Sequence, residues 1–275
     1  MKKQILFALC LSNCILVNAQ YYFKDILSNH QATTEHLSYK KDNIHHINIT
    51  SFEAGGVATE GFFCEKKISG DYKKSTIISR TLQSGESITE NVYDNEGKIL
   101  KSYDTSDFAA NTTTYQYDAK GNLLTIQSVS TSKDDDYLNR VIETHSFEYN
   151  NNSLLQKLTI IKNIRDTTIV LFTADEKGNI ILEKDTKNAA KYYYYYDEKN
   201  RLTDVAHMNE YTQQILPDYT FDYNETGQMT EMNTAEDNKG HFMTWKYDYE
   251  NERKKQERLF SIDHKFLAKL IYEYK

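Results

Sequence analysis

The segment Tyr117-Asp118-Ala119-Lys120-Gly121-Asn122-Leu123 is the clearest copy of a motif, Tyr-Asp-x-x-Gly-x-Leu, that recurs along most of this 275-residue chain. A motif that returns in this way indicates a stack of similar structural units rather than a fold built around one central site. The other copies, some of them degraded, begin at Tyr93, Tyr149, Ala174, Tyr196, Tyr223 and Tyr249, with an early relative at Phe52.

The residues on both sides of each motif carry the pattern of β-strands. Before the turn, aromatic residues alternate with polar ones, as in Tyr115 and Tyr117 or in Phe221 and Tyr223. A period of two places such residues on one face of a strand. Tyrosine suits a half-buried sheet face, so we expect the rings to lie inward and their hydroxyl groups toward water. After the turn apolar residues resume, which predicts a second strand packed beside the first.

The middle of each motif predicts a tight turn. Asp or Asn stands first, where its side chain can accept hydrogen bonds from backbone amides two residues on. Gly or Asn follows three residues later, and both tolerate a positive φ. This pattern is typical of a type I turn followed by a left-handed residue in a short hairpin. The residues assigned to structural turns are Asp94, Gly97, Asp118, Gly121, Asp175, Gly178, Asp197, Asn200, Asn224 and Gly227.

Over roughly residues 88–275 the copies resemble the YD repeats of the Rhs and teneurin families. The resemblance implies consecutive hairpins that line up in one long antiparallel sheet. A full Rhs shell ends in a proline- and glycine-containing core motif and a toxin domain, whereas this chain has a single proline, Pro217. The chain is therefore similar to a short, secreted YD-repeat protein of the Bacteroidetes type without a toxin domain, and the resemblance carries over only the strand architecture.

We thus predict an all-β protein of consecutive antiparallel β-hairpins that form one long twisted or coiled sheet. Residues 1–19 are expected to be a signal peptide, 20–40 an N-terminal leader, and 41–275 the YD-repeat domain. In the leader, Phe23, Leu27 and His30 fall at helical spacing, so this stretch is either a short helix or a loosely ordered segment.

The first residues predict export. Lys2 and Lys3 form a charged start, an apolar stretch follows, and Val17-Asn18-Ala19 is a plausible peptidase site before Gln20. We expect the protein in the periplasm, on the outer surface or outside the cell, and not as an integral membrane protein. Cys14 weakly suggests a lipoprotein alternative, which its preceding Asn13 disfavours.

Charge and motifs argue against several function classes. Removing the two lysines of the signal takes the net charge from −7 to −9, which argues against binding to nucleic acid. None of the eight histidines has metal-site spacing, and no phosphate loop, nucleophile elbow or dinucleotide fingerprint is present. We therefore predict no catalytic residue, no metal, no cofactor and no enzymatic activity.

The run Tyr192-Tyr193-Tyr194-Tyr195-Tyr196 is the sharpest candidate for binding. On a strand, one set of alternating rings faces the core, and Tyr193 and Tyr195 would then be exposed, unless the sheet curls so that both faces are covered. The resulting expectation is a secreted, non-enzymatic scaffold or interaction module with an unknown protein or polysaccharide partner in the cell envelope. The alternative is a carbohydrate-binding protein that uses exposed tyrosines.

Overall fold

The computed structural model describes residues 20–133, 140–209, 211–237 and 240–275. The predicted signal peptide therefore lies outside the described residues. A π-helical segment, Tyr22–Leu27, continues into helix α1, Ser28–Lys41. The strands that follow are β1 (His46–Glu53), β2 (Phe63–Ile68), β3 (Lys74–Thr81), β4 (Gly85–Tyr93), β5 (Ile99–Ser106), β6 (Ala109–Tyr117), β7 (Leu123–Ser132), β8 (Arg140–Tyr149), β9 (Leu155–Lys162), β10 (Asp166–Ala174), β11 (Ile180–Asp185), β12 (Lys191–Tyr196), β13 (Leu202–Met208), β14 (Ile215–Tyr223), β15 (Met229–Ala235), β16 (Phe242–Glu250), β17 (Arg253–Phe260) and β18 (Phe266–Tyr274).

The prediction of an all-β, antiparallel architecture is confirmed. Every strand pairs with the next along the chain, and all of these pairings are antiparallel. The strands form one sheet, as predicted, but this sheet closes on itself instead of remaining an open twisted or coiled sheet. Strand β18 also pairs with β1, from Ile47 opposite Tyr274 to Glu53 opposite Ala268, so the 18 strands close into a barrel.

The same motif that builds the hairpins explains why the sheet curves. In seven hairpins the register shifts at the residue that opens the motif, directly before the turn. Each shift is a bulge, and bulges bend a strand and increase its local twist. Because the bulge recurs at the same end of successive hairpins, the bend accumulates in one direction and brings β18 to β1.

The turns carry the backbone conformation that their residue types favour. The φ angle is +88° at Gly121 and +58° at Asn200. In the first of these turns the Asp118 carboxylate accepts hydrogen bonds from the amides of Lys120 and Asn122, at 2.9 and 2.8 Å. The φ angle is also positive at Gly97, Gly178 and Gly227.

The N-terminal segment lies inside the barrel. Tyr22 packs edge-on against Tyr194 of β12, with ring centroids 5.2 Å apart, and Phe23 packs 5.5 Å from Phe221 of β14. Further along, His36 stacks on Tyr93 of β4 at 3.6 Å. These strands lie on different sides of the ring, so the segment contacts the inner wall at several places around it. No helix of the described residues is long and apolar enough to cross a membrane.

The motif tyrosines lie on the inner face, but their hydroxyl groups do not point to water as we expected. Tyr117 donates a hydrogen bond to the carbonyl of Ile99, and Tyr149 to that of Leu123, both at 2.9 Å. In each case the acceptor is the first residue of the strand that follows the preceding turn. The same bond is made by Tyr196, Tyr223 and Tyr249 to Ile180, Leu202 and Met229. In each of these repeats, the tyrosine hydroxyl group thus links the repeat to a neighbouring strand through a hydrogen bond.

Candidate functional site

The tyrosine run in β12 divides between the two faces of the barrel wall. Tyr194 is buried and donates a hydrogen bond of 2.7 Å to the Glu183 carboxylate. Tyr192 and Tyr196 share its inner face and pack against the core. Tyr193 and Tyr195 point outward, and Tyr195 is 44% exposed while Tyr193 is half-buried. Both candidate binding residues therefore lie on the outer wall.

These two tyrosines are part of a larger apolar surface. The neighbouring inward residues Val170 and Phe172 are buried, so the residues that alternate with them on β10 face out. Leu182 pairs directly with Tyr193 across β11 and β12, and Leu171 lies diagonal to Leu182. We call this surface the outer stripe, and it consists of Ile161, Ile169, Leu171, Leu182, Tyr193 and Tyr195.

A second feature of the outer wall is a groove over β15, β16 and β17, with a volume of about 640 Å³. Phe242 and Phe260 supply apolar surface to it. Its charged side chains are paired, because Lys246 lies 2.9 Å from Glu231 and Arg258 lies 3.0 Å from Asp248. A groove that combines ring faces with paired polar groups suits an uncharged polar ligand better than an ion.

The interior contains two acidic clusters that sequence reasoning missed. In one, the Glu183 carboxylate is 1% exposed and accepts hydrogen bonds from the backbone amides of Gln20, Tyr21 and Tyr22 at 2.9 to 3.0 Å. Burial raises the pKa of Glu183, since the hydrogen bonds compensate only part of the lost hydration. This cluster joins the N-terminal segment to β11.

The second cluster joins the same segment to β8. The His145 ring bonds to Asp25 at 2.6 Å through Nδ1 and to Glu143 at 2.9 Å through Nε2. Burial works against the charged form of His145, but the two carboxylates outweigh it and raise its pKa to about 9. The arrangement is an ion cluster that anchors the helix. Among the described residues no group of three or more His, Cys, Asp and Glu side chains is placed to hold a metal ion.

A sequence signal for these clusters existed but was weak. Glu183 and Glu143 stand at inward positions of their strands, close to apolar or aromatic inward residues such as Ile180 and Phe147, which is unusual for a charged residue. The N-terminal residues of the two clusters belong to another element: Gln20 is 163 residues from Glu183, and Asp25 is 120 residues from its partner His145. Such pairs follow only from the way in which the barrel encloses its own N-terminal segment.

No protein-family model and no curated protein matches the chain. Solved structures with partial likeness include the crystal structure of TcdB2-TccC3 without its hypervariable C-terminal region, at 13% identity and a TM-score of 0.34. That match covers 78% of this chain but only 12% of the other. Another is a porin-like protein from Bacteroides uniformis, at 10% identity and a TM-score of 0.40, covering 84% and 98% of the two chains. A porin-like protein from Bacteroides vulgatus has 11% identity and a TM-score of 0.33 over the same shares.

Proposed function

We propose that this protein is a secreted, non-enzymatic repeat protein of the cell envelope that acts as a scaffold or interaction module. The outer stripe is the observation that carries the proposal. It places aliphatic and aromatic side chains of four adjacent strands on the outside of the barrel, where the protein's own core cannot cover them. Contiguous apolar surface bordered by polar residues is typical of protein interaction sites.

The composition of the stripe favours a protein partner. Leu171 is 44% exposed, and on the outer face it stands between Lys157 and Lys184. Aliphatic side chains bind apolar side chains of another protein well, whereas sugar rings are bound by aromatic faces and hydrogen-bonding groups. The inner core, by contrast, is packed against the chain's own N-terminal segment.

Carbohydrate binding through exposed tyrosines is the second candidate. Tyr195 presents its ring outward in the stripe, and the groove over β15–β17 adds Phe260 among hydrogen-bonding side chains. A polysaccharide chain could stack on either surface. In this case substitutions of Tyr195 or Phe260 would weaken binding, and substitution of Leu171 would not.

The two candidates are separated by measuring binding of matched variants. Purified protein is immobilised and exposed to envelope extract and to a panel of soluble polysaccharides. For a protein partner, Leu171→Ala and Tyr195→Ala should each weaken binding by about 0.5–1.5 kcal/mol. Leu124→Ala is the control, because Leu124 is also a partly exposed outward leucine but lies on β7, away from the stripe. Equal losses in Leu124→Ala and Leu171→Ala would contradict the proposal, as would a turnover activity lost with a single His or Asp substitution.

A further inference from the structure

The buried Glu183 carboxylate accepts hydrogen bonds, but no positively charged group is among its donors. Its four donors are the amides of Gln20, Tyr21 and Tyr22 and the hydroxyl of Tyr194, and none of these four groups carries a charge. A buried carboxylate is expensive to hold without a positive partner at contact distance. Burial raises the pKa of Glu183 in spite of all four bonds.

A second carboxylate lies beside the same residue. The Gln20 side-chain amide donates a hydrogen bond of 2.6 Å to Asp218, whose other oxygen bonds to His207 at 2.8 Å. Lys24 is close enough to interact with both Glu183 and Asp218. Gln20 therefore contacts acidic side chains of both β11 and β14: its backbone nitrogen bonds to Glu183 and its side chain to Asp218, and such surroundings favour positive charge.

The backbone at Gln20 is strained as long as a peptide bond precedes it. Its φ is +72°, a value that residues with a Cβ seldom adopt, and the residue is only 3% exposed. In a chain that begins at Gln20, rotation about the N–Cα bond moves only the hydrogens of the amino group, so this strain disappears. The residues before Gln20, Val17-Asn18-Ala19, form a peptidase recognition pattern.

We propose that cleavage after Ala19 frees the α-amino group of Gln20, and that the resulting ammonium group binds the Glu183 carboxylate and locks the N-terminal segment inside the barrel. The reaction is hydrolysis: water adds across the peptide bond, Ala19 keeps the new carboxylate, and the amine of Gln20 takes up a proton at neutral pH. The atom that now donates to Glu183 at 2.9 Å becomes the charged donor without moving.

The inference links export to the final fold. Before cleavage, Gln20 docks on Glu183 through uncharged groups alone and with backbone strain, while the Asp25–His145 contact is the same before and after cleavage. After cleavage it gains an ion pair in a site shielded from water, where such a pair is strongest. The start of the segment would thus be held more tightly in the exported protein than in the precursor. This inference depends on the predicted cleavage site and not on the outer stripe, so either can fail without the other.

The test compares two exported proteins. The full gene is expressed in a host that exports it, with and without a Ser-Gly insertion between Ala19 and Gln20, and each is also made with Glu183→Gln. Cleavage still follows Ala19, so the insertion moves the ammonium group two residues away from Glu183. In the natural protein Glu183→Gln should lower Tm by roughly 5–10 °C. In the insertion protein the same substitution should lower Tm by less than half as much.

A chemical measurement covers the case in which the insertion protein does not fold. Reductive methylation of the native protein, followed by peptide mass spectrometry, should modify exposed lysines and leave the Gln20 amine unmodified until denaturant is added. Equal Tm losses from Glu183→Gln in both backgrounds would overturn the proposal. So would rapid methylation of the Gln20 amine in the folded protein, a first residue other than Gln20, or a Gln20 cyclised to a pyroglutamyl group, which carries no charge.

Discussion

The inner walls of two regions of the barrel, β8–β14 and β3–β7, are built from different side chains. Over β8–β14 many inward residues are apolar, as at Phe147, Leu158 and Phe221, and the π-helical segment packs on them, while buried Glu183 and His145 interrupt this face. Over β3–β7 many of them are small and polar, and they bond to each other across strands: Ser79 to Ser87 at 2.8 Å and Thr113 to Ser128 at 3.1 Å. The apolar side chains of the first wall are covered by the π-helical segment, whereas the hydroxyl groups of the polar wall bond to each other across strands.

The physical reason lies in what each wall can do with its inner face. Apolar side chains gain free energy only if another apolar surface removes them from water. Hydroxyl groups can pair with a cross-strand neighbour and lose little when water is close. One short N-terminal segment cannot cover the whole circumference of an 18-stranded barrel. It touches β4 through His36 and β6 through Asn29, and many of the other inward residues of β3–β7 are small and polar.

The largest expected effect is a cavity in the apolar wall. Leu158 is fully buried, and Leu158→Ala should lower the free energy of unfolding by about 2–5 kcal/mol. Leu100→Ala is the matched control, because Leu100 faces outward and should cost well under half as much. Urea denaturation followed by tryptophan fluorescence of Trp245 measures both. Equal losses of unfolding free energy in the two variants would contradict the view that the apolar wall is the main source of stability.

The cluster that anchors the segment to this wall should make stability depend on pH. Because the pKa of His145 is raised to about 9 in the folded protein, against ~6.5 in the unfolded chain, its contribution is fully present below pH ~6.5. That contribution is lost as the pH rises through about 9. His145→Gln should destabilise by about 1.5–3 kcal/mol at pH 6 and by much less above pH 9. The stability difference between the natural protein and His145→Gln is measured by urea denaturation at several pH values. A difference that does not change with pH would refute the prediction that His145 is charged in the folded protein.

Backbone strain should not distinguish the two walls. Gly121, between two strands of the polar wall, and Gly227, at the edge of the apolar wall, both have a φ of +88°. Alanine at either position should cost about 1 kcal/mol, and Gly70→Ala, at a glycine without positive φ and with open space around it, should cost less. Thermal unfolding of the three variants checks this. A much larger cost at Gly227 than at Gly121 would show that the turns depend on the wall behind them.

The smallest expected effect belongs to the polar wall. Thr113→Val removes one partner of the hydroxyl pair with Ser128 and should cost about 0.5–1.5 kcal/mol. The double variant Thr113→Val with Ser128→Ala should recover part of that loss, since no hydroxyl remains without its partner. A double-mutant cycle measures the coupling. Purely additive losses would mean that the two hydroxyl groups bond to water rather than to each other.

Part of the candidate site could be read from the sequence and part could not. Alternation predicts that Tyr193 and Tyr195 share a face opposite Tyr194, because the period of a strand is a local property. Which face is the outer one depends on closure of the ring. The aliphatic partners in the stripe, such as Ile169 and Leu171, come from another hairpin, and their register is set by strand pairing across the sheet.

The hairpins themselves are determined locally: the aromatic alternation, the Asp118 cap and the left-handed Gly121 act within a few residues, where chain entropy opposes them little. Barrel closure, the inner helix and the buried carboxylate of Glu183 were decided by the tertiary structure. Each depends on contacts between residues far apart in the chain, such as Ile47 with Tyr274 and Gln20 with Glu183. Those contacts form because small bends at successive bulges add up around the ring and enclose a segment that no single repeat could hold.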